Sequence, residues 1–146
     1  MNKEVIILIS NRLKSQVPAI KWIDIDTGQL DILTQRPPVA FPACLVDLTY
    51  PQCDDTGEHI QIVTANVILR LAFDFTGATN SASPVRETSL GFLDVIEAVH
   101  EALQGWSNSA LSSFSRINAQ PERRKDGLKV YRITYQTAFS ETTGIS

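Results

Sequence analysis

The sequence is poor in the residues that carry most enzyme chemistry. It contains two histidines and two cysteines among 146 residues. Cys44 and Cys53 form no Cys-x-x-Cys pair, so their spacing indicates neither a zinc site nor a disulfide framework. We expect both thiols to be unpaired, with Cys44 packed as a small hydrophobic side chain inside an apolar stretch.

Long hydrophobic runs and an excess of positive charge are also missing. The N-terminal apolar run covers only residues 5–9, which is shorter than the core of about 7–15 residues in a signal peptide. No stretch approaches the roughly 20 apolar residues of a membrane span. We therefore predict a soluble protein made in the cytoplasm, with no membrane partner. The net charge of -3 argues against long-range attraction to DNA, and we predict no sequence-specific nucleic-acid binding.

Several short motifs resemble known sites but lack the residues that would complete them. The Asp-Thr-Gly triplets at 26–28 and 55–57 have the letters of an aspartic protease dyad. Neither is followed by Ser or Ala, and we interpret both as turns. Glu97 and His100 share a helical face, as in di-iron bundles, but no second such motif occurs, so we interpret this as a solvated helix face. We predict no enzyme activity, no catalytic residue, no metal site and no cofactor.

The most informative pattern present is a long alternation of apolar and polar residues from Glu58 to Phe75. Side chains in a strand alternate between two faces, so odd-numbered and even-numbered residues form two separate rows. Typical strands have roughly 5–6 residues, and this one must bend across two sheets or project beyond its domain. Apolar residues occur in both rows, which indicates that both faces are covered somewhere along the strand.

Helical patterns precede and follow this strand. Apolar residues spaced by three and four predict a helix over Lys3–Ser15 that ends before Pro18. A second helix is predicted with Thr88 or Ser89 as its N-cap and Gly105 near its C-terminal end.

The remaining segments predict further strands and turns. They are a hairpin with arms at 20–25 and 29–33, a proline-rich connector at 36–42, a strand at 43–48, a polar turn region at 50–57, a strand at 111–120, a turn at 121–127 and a last strand at 128–139. This order predicts an α+β fold, with a mixed or antiparallel sheet that has a long central strand and is flanked by two α-helices. We predict one domain over residues 1–146 with a flexible loop at about 76–86.

Five features, taken in chain order, carry a resemblance to a known family. They are the short N-terminal helix ending at 17–23, the proline-rich connector running into a strand at 36–43, the long strand at 58–75, the helix at 89–103 ending in Gln-Gly-Trp, and the last strand at 130–135. In this order the chain resembles, over nearly its whole length, the tail terminator and tail completion proteins of long-tailed bacteriophages.

The resemblance implies a structural rather than a catalytic role. Members of that family have an α+β fold and form a ring, commonly a hexamer, that caps the tail tube and takes part in head–tail joining. The expected partners are copies of the chain itself, the tail tube protein and the head–tail connector protein. The expected location is the host cytoplasm during assembly and then the tail or neck of the virion. Two alternatives remain open: a monomeric neck or adaptor module, and a small enzyme of unknown type.

A ring requires surfaces on which neighbouring subunits meet. We expect one face of residues 63–73 to pack on the protein's own helices and part of the other face to meet a neighbour. The alternative is that one monomer covers both faces. The basic run at 123–125 is interpreted as a solvated turn. The candidate residues for an oligomer or partner interface are Ile62, Ile68, Arg70, Thr76, Asn80, Pro84, Arg123 and Arg124.

Overall fold

The computed structural model describes residues 2–32, 34–74 and 79–144. In chain order its elements are α1 (Asn2–Gln16), β1 (Trp22–Ile25), β2 (Ala43–Gly57), β3 (Ile60–Phe73), α2 (Arg86–Ser89), α3 (Phe92–Leu103), β4 (Ser115–Glu122) and β5 (Lys129–Thr142). The described strands form one sheet in the order β1-β2-β3-β5-β4. Only β1 and β2 pair in parallel, and every other neighbouring pair is antiparallel. The prediction of a mixed α+β sheet with a long central strand is confirmed. None of the helices within the described residues combines the length and the apolar character that a membrane crossing requires.

The main hydrophobic core lies on one face of the sheet, between the sheet and two helices. Both α1 and α3 bury their apolar stripes against this face, and β3 contributes its odd-numbered residues. Among the buried residues are Val5, Ile9 and Leu13 of α1, Val99 and Leu103 of α3, and Val63, Val67, Leu69 and Leu71 of β3. Complete burial of each such side chain stabilises the fold by about 1.5–3 kcal/mol relative to exposure. The predicted packing of this face on the protein's own helices is therefore confirmed.

The opposite face of the sheet is covered at one end only. There the segment between β1 and β2 lays Leu30 over Ala43, Leu45, Ala72 and Val130, and these side chains form a second, smaller buried cluster. Even-numbered β3 residues nearer the β2–β3 turn leave the buried class and become half-buried or exposed. The two alternatives for β3 each hold for one part of the strand. Near Phe73 the monomer covers both faces, whereas near Ile62 it covers only one.

The β2–β3 hairpin projects beyond the helices. Of the two explanations for the length of β3, projection is therefore correct, and the strand does not bend across two sheets. Every residue from Pro51 to Ile62 is exposed. The end of β5 accompanies the hairpin as a third strand, with Thr142 opposite Ile60. We call residues 50–64 and 138–144 the arm.

The prediction of a polar turn region at 50–57 is wrong. The strand β2 continues through it, interrupted by a bulge between Thr49 and Gln52, and pairs with β3 as far as Gly57. The turn itself consists of Glu58 and His59 alone. Both faces of the projecting hairpin meet solvent, so no apolar alternation marks the segment as a strand.

The predicted hairpin at 20–25 and 29–33 is also wrong. The strand β1 pairs in parallel with β2, with Trp22 opposite Ala43. A turn does occur, and Gly28 has the positive φ of 89° that favours glycine. After it the chain crosses the sheet face, because burial of Leu30 and pairing of Asp31 with Arg70 hold it there. Residue 33 lies outside the described residues.

Smaller corrections concern the second half of the chain. Thr88 and Ser89 do not cap α3 but belong to the short helix α2, in which the Ser89 hydroxyl donates to the Val85 carbonyl at 2.8 Å. Gly105 follows α3 with a φ of 75°, as its predicted terminal position requires. The strand β4 starts at Ser115 and includes two residues of the predicted turn at 121–127, while β5 extends to Thr142.

Candidate functional site

The helices and the segment between β1 and β2 leave part of one face of the sheet uncovered. We call it the open face and define it on β3 by Ile60, Ile62, Thr64, Asn66 and Ile68. Ile60 and Ile62 are each 39% exposed. On one side β5 places Thr134, Gln136 and Ala138 opposite Ile68, Asn66 and Thr64, and the Gln136 amide donates to the Asn66 side-chain oxygen at 3.1 Å. On the other side β2 places Asp47 opposite Ile68 and Asp54 opposite Ile62. The result is a surface of aliphatic and polar side chains with carboxylates along its β2 side.

An ion-pair network closes the open face at its boundary with the second cluster. Arg70, 5% exposed, donates from Nε and Nη2 to the two carboxylate oxygens of Glu122, each at 2.8 Å. Its Nη1 lies 3.1 Å from Asp31 and 3.5 Å from Asp26. The hydrogen bond from Arg70 holds the pKa of Glu122 below its ordinary value, against the opposing effect of burial. Arg70 therefore joins β3, β4 and the segment after β1.

The basic run at 123–125 is only partly the solvated turn that was predicted. The side chain of Arg124 is 6% exposed, and its guanidinium contacts Asp126 and the Leu30 carbonyl oxygen. For Arg124 the solvated interpretation is wrong, because the turn folds this side chain back onto the covered end of the sheet. Arg123 and Lys125 are exposed, as predicted.

The candidate interface residues do not form one cluster. Ile62 and Ile68 lie on the open face, and Arg70 follows two residues after Ile68 on β3. The others follow or surround the far end of β3, roughly 35 Å from Ile62 at about 3.3 Å per residue. Among all the candidates, Arg70 and Arg124 form internal ion pairs, Asn80, Pro84 and Arg123 are exposed, and Thr76 lies outside the described residues. The contact of each with a partner stays a prediction.

The predicted flexible loop at 76–86 falls partly outside the described residues, which resume at Thr79. Within it, the Asn80 side-chain oxygen accepts a hydrogen bond from the Ala82 amide at 3.0 Å. The helix α2 begins at Arg86. Flexibility of this segment stays a prediction.

The residues considered for catalysis or metal binding have structural surroundings. The His100 Nδ1 lies 2.9 Å from the Tyr135 hydroxyl, so the solvated-face interpretation holds for exposed Glu97 but is wrong for half-buried His100. Burial lowers the pKa of His100, and nearby Arg116 adds to the effect. Burial also raises the pKa of Tyr135 to about 12. Among the described residues, no group of three or more His, Cys, Asp or Glu side chains could hold a metal ion.

The two thiols are both free and occupy different environments. Cys44 is buried, and this burial raises the pKa of its thiol to about 12. Cys53 is exposed on the arm. The prediction that neither belongs to a disulfide, and that Cys44 packs in the core, is confirmed.

The acidic character of the arm was missed in the sequence. Asp54, Asp55, Glu58 and Glu141 lie on the arm, which contains no lysine or arginine. Three of these carboxylates were assigned to a turn region or its edge, where charged residues carry no information. Their grouping emerges only when β2, β3 and the end of β5 are seen to run side by side.

Comparison with known families agrees with this architecture. The family model described as phage tail terminator protein matches residues 6–144. The chain belongs to the phage tail terminator family. This tail terminator is therefore a structural component of a phage tail, as its family is a structural and non-enzymatic class. A comparison with curated proteins gives no match.

Proposed function

We propose that this tail terminator assembles into a ring of six subunits that caps the completed tail tube and takes part in head–tail joining. Its partners are then further copies of itself, the tail tube protein and a head–tail connector protein. The chain occupies the host cytoplasm during assembly and the tail or neck afterwards. The observation that carries the proposal, together with the family, is the open face and the arm that extends it beyond the helices.

A ring forms from heterologous contacts, in which two different surfaces of one subunit meet those of its neighbours. The open face supplies one such surface, since Ile60 and Ile62 are exposed there and half-buried Ile68 follows in the same row of β3. Burial of those side chains against a neighbour would add hydrophobic stabilisation that the monomer lacks. We assign the open face, rather than the helical side, to subunit contact.

The sheet edges support contact through this face rather than through strand pairing. Pro51 lies on β2 beyond the part paired with β1, and Pro121 lies on β4 at the opposite edge. Both strands also carry bulges, between Thr49 and Gln52 and between Arg116 and Asn118. Proline and bulges are the devices by which proteins protect sheet edges from pairing with other chains.

The proposal is tested by native mass spectrometry over a range of protein concentrations, with negative-stain images of the same samples. We expect closed rings with a central channel, either free or on purified tail tubes. Added protein should stop tube elongation when tail tube protein polymerises. A monomer that binds connector protein but forms no ring, alone or on tubes, would instead support the adaptor alternative.

Substitution of Ile62 by asparagine should weaken the ring without unfolding the subunit. The side chain is 39% exposed in the monomer, so an amide stays hydrated there but would lose its hydrogen bonds to water in an apolar contact. We expect the concentration for half-assembly to rise at least about tenfold, which corresponds to roughly 1.4 kcal/mol. Native mass spectrometry measures the shift, and circular dichroism verifies the fold.

The matched control is Leu93→Asn. Leu93 is 44% exposed on α3, on the other side of the sheet from the open face. We expect this control variant to assemble at the same concentration as the wild type. Equal weakening by both substitutions would contradict the assignment of the contact to the open face.

A further inference from the structure

The two ends of the sheet differ in charge. The arm contains four carboxylates and no lysine or arginine. At the opposite end, the turn between β4 and β5 exposes Arg123 and Lys125, while the neighbouring acidic residues Glu122 and Asp126 are held in internal ion pairs with Arg70 and Arg124. The arm thus presents negative charge, and the turn presents the positive charge of Arg123 and Lys125.

Apolar surface accompanies the charge at both ends. The arm exposes Ile60 and Ile62 on its open face, where Asp54 lies opposite Ile62 in register. Asp55 and Glu141 both lie opposite Gln61, on the other face of the arm. Next to the basic turn a cavity of about 170 Å³ is lined by Phe73, Phe92, Pro121 and the neighbouring part of β5. Each end therefore offers charged and apolar groups, with charges of opposite sign.

We propose that the acidic arm, which has Ile60 and Ile62 on its open face, docks on the exposed basic turn, Arg123 and Lys125, of a second copy of this chain. The inference rests on the proposed ring and specifies which two surfaces meet in it. Because the acidic and basic surfaces lie at opposite ends of one subunit, each docking leaves an arm and a turn free for the next subunit. Such a head-to-tail contact is the heterologous type that closes into a ring.

Charge complementarity explains why the arm selects this end of its neighbour. Attraction between opposite charges accelerates the encounter of two subunits, and repulsion between like charges disfavours any other arrangement of the two. Salt screens these interactions, since the Debye length falls from about 10 Å at 0.1 M to about 3 Å at 1 M ionic strength. Ring assembly should therefore weaken as salt concentration rises, although contacts made by the isoleucines alone would not weaken in this way.

The test uses charge reversal on the two surfaces separately. One variant carries Asp54→Lys, Asp55→Lys and Glu58→Lys, which leaves the arm with three lysines and a single carboxylate, Glu141. The other variant carries Arg123→Glu with Lys125→Glu. Each variant alone has two surfaces of the same sign, so we expect its half-assembly concentration to rise at least about tenfold. An equimolar mixture of the two variants restores opposite signs at every contact, and we expect it to form rings of alternating subunits. The control reverses two exposed carboxylates of α3, Glu97→Lys with Glu101→Lys, and should assemble like the wild type.

Each outcome has a definite meaning. Loss of assembly in both variants and recovery in the mixture supports the contact between arm and turn. Normal assembly of either variant overturns the contact, as does a mixture that fails to recover while both variants keep their circular dichroism spectra. Wild-type chain that forms no ring, alone or on tail tubes, refutes the proposed function itself.

Discussion

Replacement of Arg70 by methionine is expected to lower the free energy of unfolding by about 3 kcal/mol. The substitution keeps a long side chain but removes the bidentate partner of Glu122, which is 20% exposed, and the partner of Asp26, which is 15% exposed. Glu122 then keeps only its longer contacts, such as that with Arg132 Nε at 3.3 Å. Carboxylates that lose their main partner in such surroundings are costly, because they have lost water and are poorly compensated by other charges. Asp31 is 61% exposed and adds little, since solvent screens its interaction. Urea denaturation at neutral pH measures the loss.

The effect of Arg70→Met should depend on pH. The pKa of Glu122 is lowered in the folded protein from its ordinary value of 4.5. Its pairing therefore stabilises the wild type fully above that value, and the stabilisation is lost as pH falls through the lower folded pKa. In the variant this contribution is absent, so the two unfolding free energies should converge as pH falls below 4.5.

Two further variants isolate the cause of this loss. Arg36 pairs with Asp74 on the exposed surface, so Arg36→Met should change stability little. Addition of Glu122→Gln to Arg70→Met should recover part of the lost unfolding free energy, because it removes the negative charge of a carboxylate that no longer has its main partner. If stability is not recovered, the loss comes from altered packing around residue 70 rather than from unpaired carboxylates.

Replacement of Leu69 by alanine is the second substitution with a large expected effect. Leu69 is completely buried between the sheet and the helices. Its truncation removes apolar contacts and leaves a cavity, and such changes cost about 2–5 kcal/mol. Ile68 is the neighbouring residue, but its side chain lies on the open face. The same change there should lower the free energy of unfolding by only about 1 kcal/mol, because the side chain is partly surrounded by solvent. Chemical denaturation of both variants gives the comparison.

The pair of neighbouring variants separates stability from assembly. We expect Leu69→Ala to destabilise the subunit, and any ring that it forms should retain wild-type contacts. Ile68→Ala should keep most of its stability and weaken the ring. A reversal of this order, with Ile68→Ala the less stable subunit, would show that the open face is covered in solution.

The sequence predicted those parts of the fold that bury a regular apolar pattern. The helix over residues 3–15, the length of β3 and the face of β5 that contains Ile133 and Tyr135 all have such patterns, because a core enforces the period of each element. The parallel pairing of β1 with β2 was missed since the turn at Gly28 also suits a hairpin, and only the later packing of Leu30 decides between them.

Elements that face solvent on both sides were the hardest to predict. Residues 51–57 of β2 are all exposed, so backbone pairing with β3 holds them extended without leaving a side-chain signal. Arg70 and Arg124 illustrate a related difficulty. The carboxylate partners of Arg70 reach it only through tertiary folding. Asp126 lies two residues from Arg124, but the Leu30 carbonyl that Arg124 also contacts comes from a distant part of the chain. Local sequence therefore could not show that both guanidinium groups are internal. The isoleucines of the open face were identified because their row in the alternation was already visible.

The position of β3 in the sheet also has a consequence for the order of folding. Its β2 partner is joined to it by a two-residue turn, whereas its β5 partner is distant, with Asn66 and Gln136 separated by 70 residues. Closing the longer loop costs more chain entropy, so we expect the β2–β3 hairpin to form first and β5 to dock late. Until β5 arrives, the most apolar strand has an unpaired edge, which is a template for aggregation. The yield of refolded subunit should therefore fall as the protein concentration during refolding rises.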